Sequence, residues 1–386
     1  MIDPEIFETL VFCHGLNGRL GLPVLFKGPP GGGKTTTMKE LCHAYGLHCI
    51  SLILRLFPQS EIAGQPVLTE NGVVLSPPRW AKLAKQLEHV VVFLDEFNTC
   101  EIDTFNAALR VVNEGVVGDM ELPSTVRFLG ACNPIEQATG GNDLPMALAN
   151  RIGHMSALKL TAKQVRQHFM SLANEKAHSD VDVAVSIQRM AKVTAEWPTA
   201  LAWAAAVVGQ FLVRNEEILH LVPTPDSPQA SEGWPSPRTW ECVMRVLASA
   251  RIHKLSIEKE MQIVQGFVGE AATVEFASFR ADMDLPDATL LLDGQAVWQH
   301  DPLRPDRTYV VLAACTAAVL ETDAKSESGK RRTVAVWKLL RSLVDDAGDL
   351  VLDTVHHMNQ NHRYDEKYCT EVITKCMPML KAAGMA

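Results

Sequence analysis

A glycine-rich stretch near the start of the chain, residues 28–35, has the spacing G-x-x-x-x-G-K-T and follows a short apolar run. This spacing is typical of the P-loop, in which backbone N–H groups surround a phosphate. Gly28, Gly31, Gly32 and Gly33 let the backbone turn tightly and point successive N–H groups inward, which a Cβ would obstruct. The helix that follows directs the positive end of its dipole at the same place. The stretch therefore predicts a phosphate-binding turn between a strand and a helix.

Two side chains at the end of this stretch have their own expected roles. Lys34 is expected to reach the β- and γ-phosphates of a nucleotide, and the Thr35 hydroxyl to ligate Mg²⁺. We therefore expect a nucleoside triphosphate and Mg²⁺ as ligands. The residues expected to bind the nucleotide are Gly28, Pro29, Pro30, Gly31, Gly32, Gly33, Lys34, Thr35 and Thr36.

A second signal is the run Val-Val-Val-Phe-Leu-Asp-Glu at residues 90–96. A continuous apolar run predicts a strand buried on both faces, and hence a parallel sheet covered by helices. Two acids at its carboxyl end would face the ligand crevice of such a sheet. We expect Asp95 to hold Mg²⁺, directly or through water, and Glu96 to orient and polarise the attacking water. The alternative is that Asp-Glu merely begins a solvated turn.

A third apolar run, residues 126–131, ends in Cys-Asn-Pro. Asn-Pro by itself usually marks a turn. Since this one follows the next buried strand after the two acids, we expect Asn133 to lie beside them, where its amide can hold the nucleophilic water or the γ-phosphate.

Length and composition limit the classes of protein. With 386 residues the chain is long enough for two or three domains. The net charge of −9 and the lack of a long basic run disfavour nucleic acid as the main partner. Nine scattered cysteines without a C-x-x-C pair suit a reducing cytoplasm. The acidic N-terminus is unlike a signal peptide, and no apolar window of about 18 residues predicts a membrane span.

The pattern of the remaining chain predicts hairpins first and helices afterwards. Hairpins are expected within residues 58–78, around Asn71-Gly72, and within 115–122. Asp103 or Thr104 is expected to cap a helix that ends near residue 114. The helices expected elsewhere are 35–45, 79–88, 144–152, one starting at 161, 181–196, 199–215, 257–267, 270–280, 309–321, 332–347 and 350–359.

Two arginines lie close to predicted helix ends. Arg151 is near the end of the predicted helix 144–152, where an arginine is normally solvated or paired with the dipole. Ser236 and Pro237 are the expected N-cap and first residue of a later helix, which places Arg238 in its first turn. A cation there opposes the helix dipole, which indicates that a negative partner holds Arg238.

The ordered set of motifs resembles the AAA+ ATPases, and most closely their MoxR branch. Residues 28–35 resemble Walker A, 94–96 with Asn98 Walker B, 130–134 sensor 1, 144–152 the arginine-finger segment and 236–238 sensor 2. The sequence departs from the family in a shortened Ala-Cys-Asn-Pro at sensor 1 and in Ile152 after the finger arginine.

The resemblance implies an α/β fold, with an AAA+ core whose parallel sheet is flanked by helices. The core with its hairpin inserts is expected at residues 1–155, an all-helical lid at 156–265 and a helical C-terminal extension at 266–386. It further implies a homo-oligomeric ring, commonly a hexamer, in which ATP binds between core and lid. Arg151 of a neighbouring subunit would complete the site in trans, and Arg238 would touch the γ-phosphate from the lid.

MoxR proteins typically remodel or activate client proteins, often with a partner that contains a von Willebrand factor A domain. The resemblance therefore implies Mg²⁺-dependent ATP hydrolysis in the cytoplasm, with such a partner and a client that the sequence does not identify. One alternative is an NTPase motor of a nucleic-acid-processing or defence complex, which the acidic charge disfavours. Another is a switch that binds ATP but scarcely hydrolyses it.

Overall fold

The computed structural model describes residues 2–70, 72–137, 141–157, 166, 180–283 and 285–385. The chain divides into two compact units. One consists of Met1–Ala195 with Glu217–Thr273, and the other of Glu196–Glu216 with Val274–Ala386. The expected boundaries at residues 155 and 265 stay a prediction.

The elements of the described residues follow the expected order of strands first and helices afterwards. The strands are β1 Val24–Lys27, β2 His48–Ile53, β3 Gln65–Thr69, β4 Gly72–Ser76, β5 Val90–Asp95, β6 Val116–Val117, β7 Met120–Glu121, β8 Arg127–Cys132 and β9 Gly153–Ser156. The helices up to residue 281 are α1 Pro4–Val11, α2 Lys34–Ala44, α3 Gln59–Ala63, α4 Arg79–Leu87, α5 Ile102–Glu114, α6 Met146–Ala149, α7 Val183–Arg214, α8 Pro237–His253 and α9 Ile257–Ala281.

A five-stranded parallel sheet forms the centre of the first unit, in the order β2-β5-β8-β1-β9. The first five residues of β5 are all buried, which confirms the strand that the apolar run at 90–96 predicts. Because β1, β5 and β8 run in the same direction, their carboxyl ends meet at one edge of the sheet. The phosphate-binding turn, the acids and Asn133 all follow these three strand ends.

The two predicted hairpins are present. β3 pairs with β4, with Leu68 opposite Val73, and β6 pairs with β7. The hairpins are bonded to each other, because the Leu75 N–H donates to Asp119 Oδ2 at 2.8 Å and the Asp119 N–H donates back to the Leu75 carbonyl at 3.0 Å. Asn71, the residue expected in the first turn, lies outside the described residues.

Two predictions about local structure in the first unit are wrong. The cap of α5 is Glu101 rather than Asp103 or Thr104, because the Thr104 hydroxyl donates to the Phe57 carbonyl at 3.2 Å instead. The predicted helix 144–152 is helical only over Met146–Ala149. The chain then continues as β9, whose Gly153 lies opposite Val24 of β1, so edge-strand pairing takes the backbone that a longer helix would need.

Helices α8 and α9 belong to the first unit as far as Thr273. Ser236 is the N-cap of α8 and Pro237 its first residue, as predicted. α8 packs on α1, where the Ser249 hydroxyl donates to the Thr9 carbonyl at 2.7 Å. Within α9 the backbone leaves the helical region at Gly269, which separates the segments that match the predicted helices 257–267 and 270–280.

One long helix, α7, replaces the two that were predicted at 181–196 and 199–215. Pro198 lies inside it and has no N–H to donate. The helix continues past Pro198, and the next N–H, that of Thr199, donates to Glu321 Oε1 at 2.7 Å. The helix predicted from Thr161, with Val165, Phe169, Leu172 and Ala173, lies outside the described residues.

The regular elements of the second unit are all helices, as far as its residues are described. Besides the end of α7 and of α9, it contains α10 Ala288–Leu292, α11 Pro305–Glu321, α12 Glu327–Leu343, α13 Leu352–Gln360 and α14 Cys369–Ala382. Trp337 lies at its centre, fully buried, and its indole N–H donates to the Arg363 carbonyl at 2.7 Å. α14 was not predicted, although Val372, Cys376 and Leu380 recur at helical spacing on its buried face. Among the described residues no helix is both long enough and apolar enough to cross a membrane.

Candidate functional site

The turn between β1 and α2 adopts the backbone that the glycine pattern predicts. Gly31 and Gly33 have φ angles of 72° and 71°, in the left-handed region that residues with a Cβ rarely adopt. Gly33 is the N-cap of α2 and Lys34 its first residue. The free N–H groups at the start of α2 therefore lie at the carboxyl edge of the sheet, where an anion is stabilised.

Lys34 lies in the centre of this turn and is only 8% exposed. Its Nζ donates to the carbonyls of Gly28 at 2.7 Å and Pro29 at 2.9 Å, and to Asn133 Oδ1 at 2.8 Å. Burial lowers the pKa of Lys34, and the negative charge of Asp95 acts in the opposite direction. The bond to Asn133 joins the turn after β1 to the turn after β8.

The Thr35 hydroxyl donates to Asp95 Oδ2, so the two residues expected to hold Mg²⁺ are in direct contact. The other carboxylate oxygen of Asp95 accepts from the Glu96 N–H at 2.9 Å. Hydroxyl and carboxylate oxygens are ligands that Mg²⁺ prefers, and Mg²⁺ usually takes only one or two of them from the protein. The donor set therefore fits Mg²⁺, although the described residues hold no group of three or more His, Cys, Asp or Glu side chains placed to bind a metal.

Glu96 follows Asp95 with a left-handed backbone, at φ 52° and ψ 40°. Such a conformation costs a residue with a Cβ about 1 kcal/mol or more and persists where the surroundings fix it. Here the Glu96 carbonyl accepts from the Thr99 N–H at 3.0 Å and from the Thr99 hydroxyl at 2.9 Å. Two hydrogen bonds from Thr99, three residues later in the chain, therefore hold the backbone of Glu96 in this conformation.

Asn98 connects this turn to sensor 1. Its side chain is buried, and Nδ2 donates to the Asn133 carbonyl at 2.9 Å. The Asn98 carbonyl accepts from the Asn142 N–H at 2.8 Å, while Oδ1 is buried without a hydrogen-bond partner among the described residues. The sequence placed Asn98 in Walker B but gave no sign that it positions Asn133.

Arg151 and Arg238 lie near each other in one chain. Arg151 Nη1 donates to the Ala147 carbonyl at 2.6 Å, and Arg238 is exposed in the first turn of α8. Burial lowers the pKa of Arg151, and the positive charge of Arg238 lowers it further. The structure thus forms two groups of predicted site residues. In the cluster around Lys34, Lys34 bonds to Asn133 and the adjacent Thr35 bonds to Asp95, and in the arginine cluster Arg151 lies near Arg238.

Asn150 joins the segments that carry these arginines. Its Nδ2 donates to the Trp234 carbonyl at 3.0 Å, and its Oδ1 accepts from the Ser236 hydroxyl at 2.9 Å. Ser236 in turn caps α8, which starts just before Arg238. Sequence reasoning missed Asn150, and its position next to Arg151 was the only available signal.

His154 was also missed. Its Nε2 lies 3.0 Å from the Ala149 carbonyl and must carry the proton that this bond needs. Nδ1 is buried without a partner among the described residues, and burial lowers the pKa of His154 to about 4. The ring is therefore neutral near pH 7 and holds the start of β9 against the end of α6.

One family of known proteins matches part of the chain. Residues 23–152 match the family described as AAA domain (dynein-related subfamily). The match runs from the start of β1 to the residue after Arg151, so it covers the turn, the acids, Asn133 and the first arginine.

Two individual proteins are similar to the chain. Midasin of Giardia intestinalis is 26% identical over 144 residues, which are 34% of this chain and only 3% of midasin. A solved structure from Cytophaga hutchinsonii, described as that of a candidate ATPase, covers 68% of this chain and 83% of its own at 15% identity. Its TM-score is 0.44, at which the likeness supports no conclusion.

Proposed function

We propose that residues 23–152 form an AAA+ P-loop ATPase domain, and that the protein hydrolyses ATP and assembles into a ring that remodels client proteins, as MoxR-type ATPases do. The observation that carries the proposal is the contact of Lys34 with Asn133 and of Thr35 with Asp95 at one edge of the sheet. These four side chains come from three separate turns. Only the fold brings them together.

The cluster around Lys34 has the groups that phosphoryl transfer needs. Lys34 and the N–H groups at the start of α2 bind the phosphates, and Thr35 with Asp95 holds the metal. Mg²⁺, when bound, neutralises charge on the phosphate oxygens and polarises them. Glu96 orients the attacking water, and Asn133 fixes the far side of the transferred group.

The arginine cluster completes the site from a neighbouring subunit. Arg238 lies close enough to Arg151 for its positive charge to lower the Arg151 pKa, and an anion beside the pair would offset that repulsion. We propose that Arg151 and Arg238 of one subunit both bind the triphosphate held by the next. For Arg238 this differs from the sequence expectation, in which it serves its own subunit from the lid.

The MoxR-type role includes a partner with a von Willebrand factor A domain, an unidentified protein client, a hexameric ring and a cytoplasmic location. The exposed hairpin β3–β4 supports contact with a client, because Leu68 is 82% and Val73 67% exposed. Apolar side chains exposed together on a hairpin suit transient contact with unfolded or partly unfolded segments.

Mixing two inactive variants tests the shared site. Lys34→Ala removes phosphate binding but keeps both arginines, whereas Arg151→Ala keeps the P-loop. We expect each variant alone to be inactive, and an equal mixture to regain about a quarter of wild-type ATP turnover, because a quarter of random interfaces join an intact P-loop to an intact arginine.

The same mixture made with Arg238→Ala assigns the second arginine. Recovery with Lys34→Ala places Arg238 in trans, while no recovery places it in its own subunit. Full turnover by isolated Arg151→Ala subunits, or no recovery in the first mixture, would contradict the ring mechanism.

A further inference from the structure

A groove of about 650 Å³ lies in the second unit between helices α7 and α11. Its walls include Ala202, Ala206 and Gly209 on α7 and Leu312, Thr316 and Ala317 on α11. On α7 these residues are three or four positions apart, and on α11 Thr316 and Ala317 follow Leu312 by four and five positions, so each helix contributes one continuous face. We name this cavity the α7–α11 groove.

Side-chain bonds hold the two helices at both ends of the α7–α11 groove. At one end the Thr199 N–H donates to Glu321 Oε1 at 2.7 Å, and at the other Arg214 Nη1 lies 3.0 Å from Asp306 Oδ2. Thr199, near the first lining residue of α7, contacts Glu321 at the end of α11, so the two helices are antiparallel. Bonds at both ends fix the two helices relative to each other along the groove.

Helix α13 forms the third side. The Thr316 hydroxyl donates to the Thr354 hydroxyl at 3.0 Å, and the Tyr309 hydroxyl donates to Asp353 Oδ2 at 3.0 Å. These bonds pair the Thr316 and Tyr309 hydroxyls with groups of the same unit. What remains for a ligand to contact is therefore mostly the apolar surface of alanine, glycine and leucine side chains.

Gly209 indicates that the open space is for an occupant. A glycine inside a helix costs about 0.5–1 kcal/mol relative to alanine. At Gly209 a Cβ would meet no atom of the described residues within 4 Å, so none of them requires a glycine there. The missing side chain does allow another backbone to approach α7 closely, as small residues do between packed helices.

Shape and charge narrow the class of occupant. Lining residues on α7 run from Pro198 to Val213, about 22 Å at the rise of a helix. Val213 is 77% exposed, so the groove is open along its rim, unlike a pocket that encloses a small molecule. Glu321 and Asp353 are its acidic lining residues, and no lysine or arginine lines it.

We propose that the α7–α11 groove binds an α-helix of a partner protein, with small or apolar residues facing α7 and a lysine or arginine beside Asp353. About four turns of helix match the length of the walls. The basic residue pairs with an acidic rim that has no cation of its own among its lining residues.

Fluorescence anisotropy with two labelled 16-residue helical peptides tests the proposal on the full chain. Both peptides carry the same Ala/Leu face, and one has two lysines beside it where the other has two glutamates. We expect the lysine peptide to bind the wild type at least tenfold more tightly than the glutamate peptide.

Three variants locate the binding. Gly209→Trp fills the groove and is expected to weaken the lysine peptide at least tenfold, whereas Lys338→Trp, on the exposed face of α12, is the matched control and leaves binding unchanged. Asp353→Asn keeps an acceptor for Tyr309 and is expected to reduce the preference for lysine. Circular dichroism checks that each variant is folded. If Gly209→Trp is not folded, a reduced preference for lysine in Asp353→Asn supports the proposal and an unchanged preference contradicts it.

Several results would overturn the proposal. Equal binding of the two peptides, or unchanged binding to Gly209→Trp, excludes the groove as a site for a basic helix. A fall in molar mass by light scattering on Gly209→Trp makes a second copy of the chain the occupant. If a small apolar dye binds the wild type but not Gly209→Trp, and neither peptide binds, the groove is a small-molecule site.

Discussion

At the scale of single residues, the candidate site depends on a short chain of hydrogen bonds. Lys34 donates to the Asn133 side chain, and Asn98 donates to the Asn133 carbonyl. Both donor side chains, Lys34 and Asn98, are buried, and an unpaired buried donor costs about 1–3 kcal/mol. Asn133 is thus held from both sides by hydrogen bonds within the chain.

His154 gives a pH prediction at the same scale. Its folded-state pKa of about 4 lies below the value of about 6.5 expected in the unfolded chain. Between these values the unfolded chain binds a proton that the folded chain does not. We therefore expect the free energy of unfolding to fall as the pH is lowered from 6.5 to 4, by at most about 1.4 kcal/mol per pH unit from this residue.

Urea denaturation at pH 7, 6 and 5 measures this contribution. His154→Gln should show a shallower decline than the wild type over that range. His362→Asn is the matched control, since His362 is exposed and its left-handed backbone suits asparagine. Equal slopes in the wild type and His154→Gln would contradict the prediction.

At the scale of elements, the two hairpins form one bonded pair away from the sheet. Besides the bonds between Leu75 and Asp119, the Gly118 N–H donates to the Ala63 carbonyl at 2.7 Å. Hairpin β3–β4 carries exposed apolar side chains, whereas β6–β7 follows α5, which lies next in the chain to the turn of Glu96. The hairpin with exposed apolar side chains is therefore bonded to the hairpin that follows α5.

Removing the apolar tip separates client contact from hydrolysis. We expect Leu68→Ser with Val73→Ser to leave basal ATP turnover within about twofold of wild type, because surface substitutions seldom change stability by more than about 0.5 kcal/mol. Binding of a permanently unfolded fluorescent polypeptide to the ATP-loaded Glu96→Gln form should fall severalfold. Unchanged polypeptide binding would show that the hairpin does not contact clients.

At the scale of the whole molecule, the proposed mechanism places the arginine cluster of one subunit at the P-loop cluster of the next. If it does, hydrolysis should require assembly. We expect ATP turnover per subunit to rise with protein concentration and to level off once rings have formed. Light scattering at the same concentrations gives the molar mass that turnover should follow.

Glu96→Gln serves as the control for that experiment. It should bind ATP and assemble but hydrolyse at least a hundredfold more slowly, because the carboxylate that orients water is lost. Turnover independent of concentration, with only a monomer in solution, would contradict assembly at the site. Wild-type activity of Glu96→Gln in a functional assay would instead indicate a switch that acts by binding.

The sequence by itself determined the features that depend on neighbouring residues. The glycine spacing set the turn before α2, the apolar run at 90–96 set a buried strand, and Ser236-Pro237 set the start of α8. These follow from local backbone preferences and from burial along one segment, which a sequence displays directly.

Only the tertiary structure decided the features that depend on distant partners. Lys34 meets Asn133 across 99 positions because β1 and β8 are neighbours in the sheet. β9 is a strand because it pairs with the edge of β1. α7 continues through Pro198, where the Thr199 N–H donates to Glu321. Arg151 lies near Arg238, and the α7–α11 groove exists, for the same reason. Contacts between remote segments are fixed by strand order and helix packing, which no local spacing encodes.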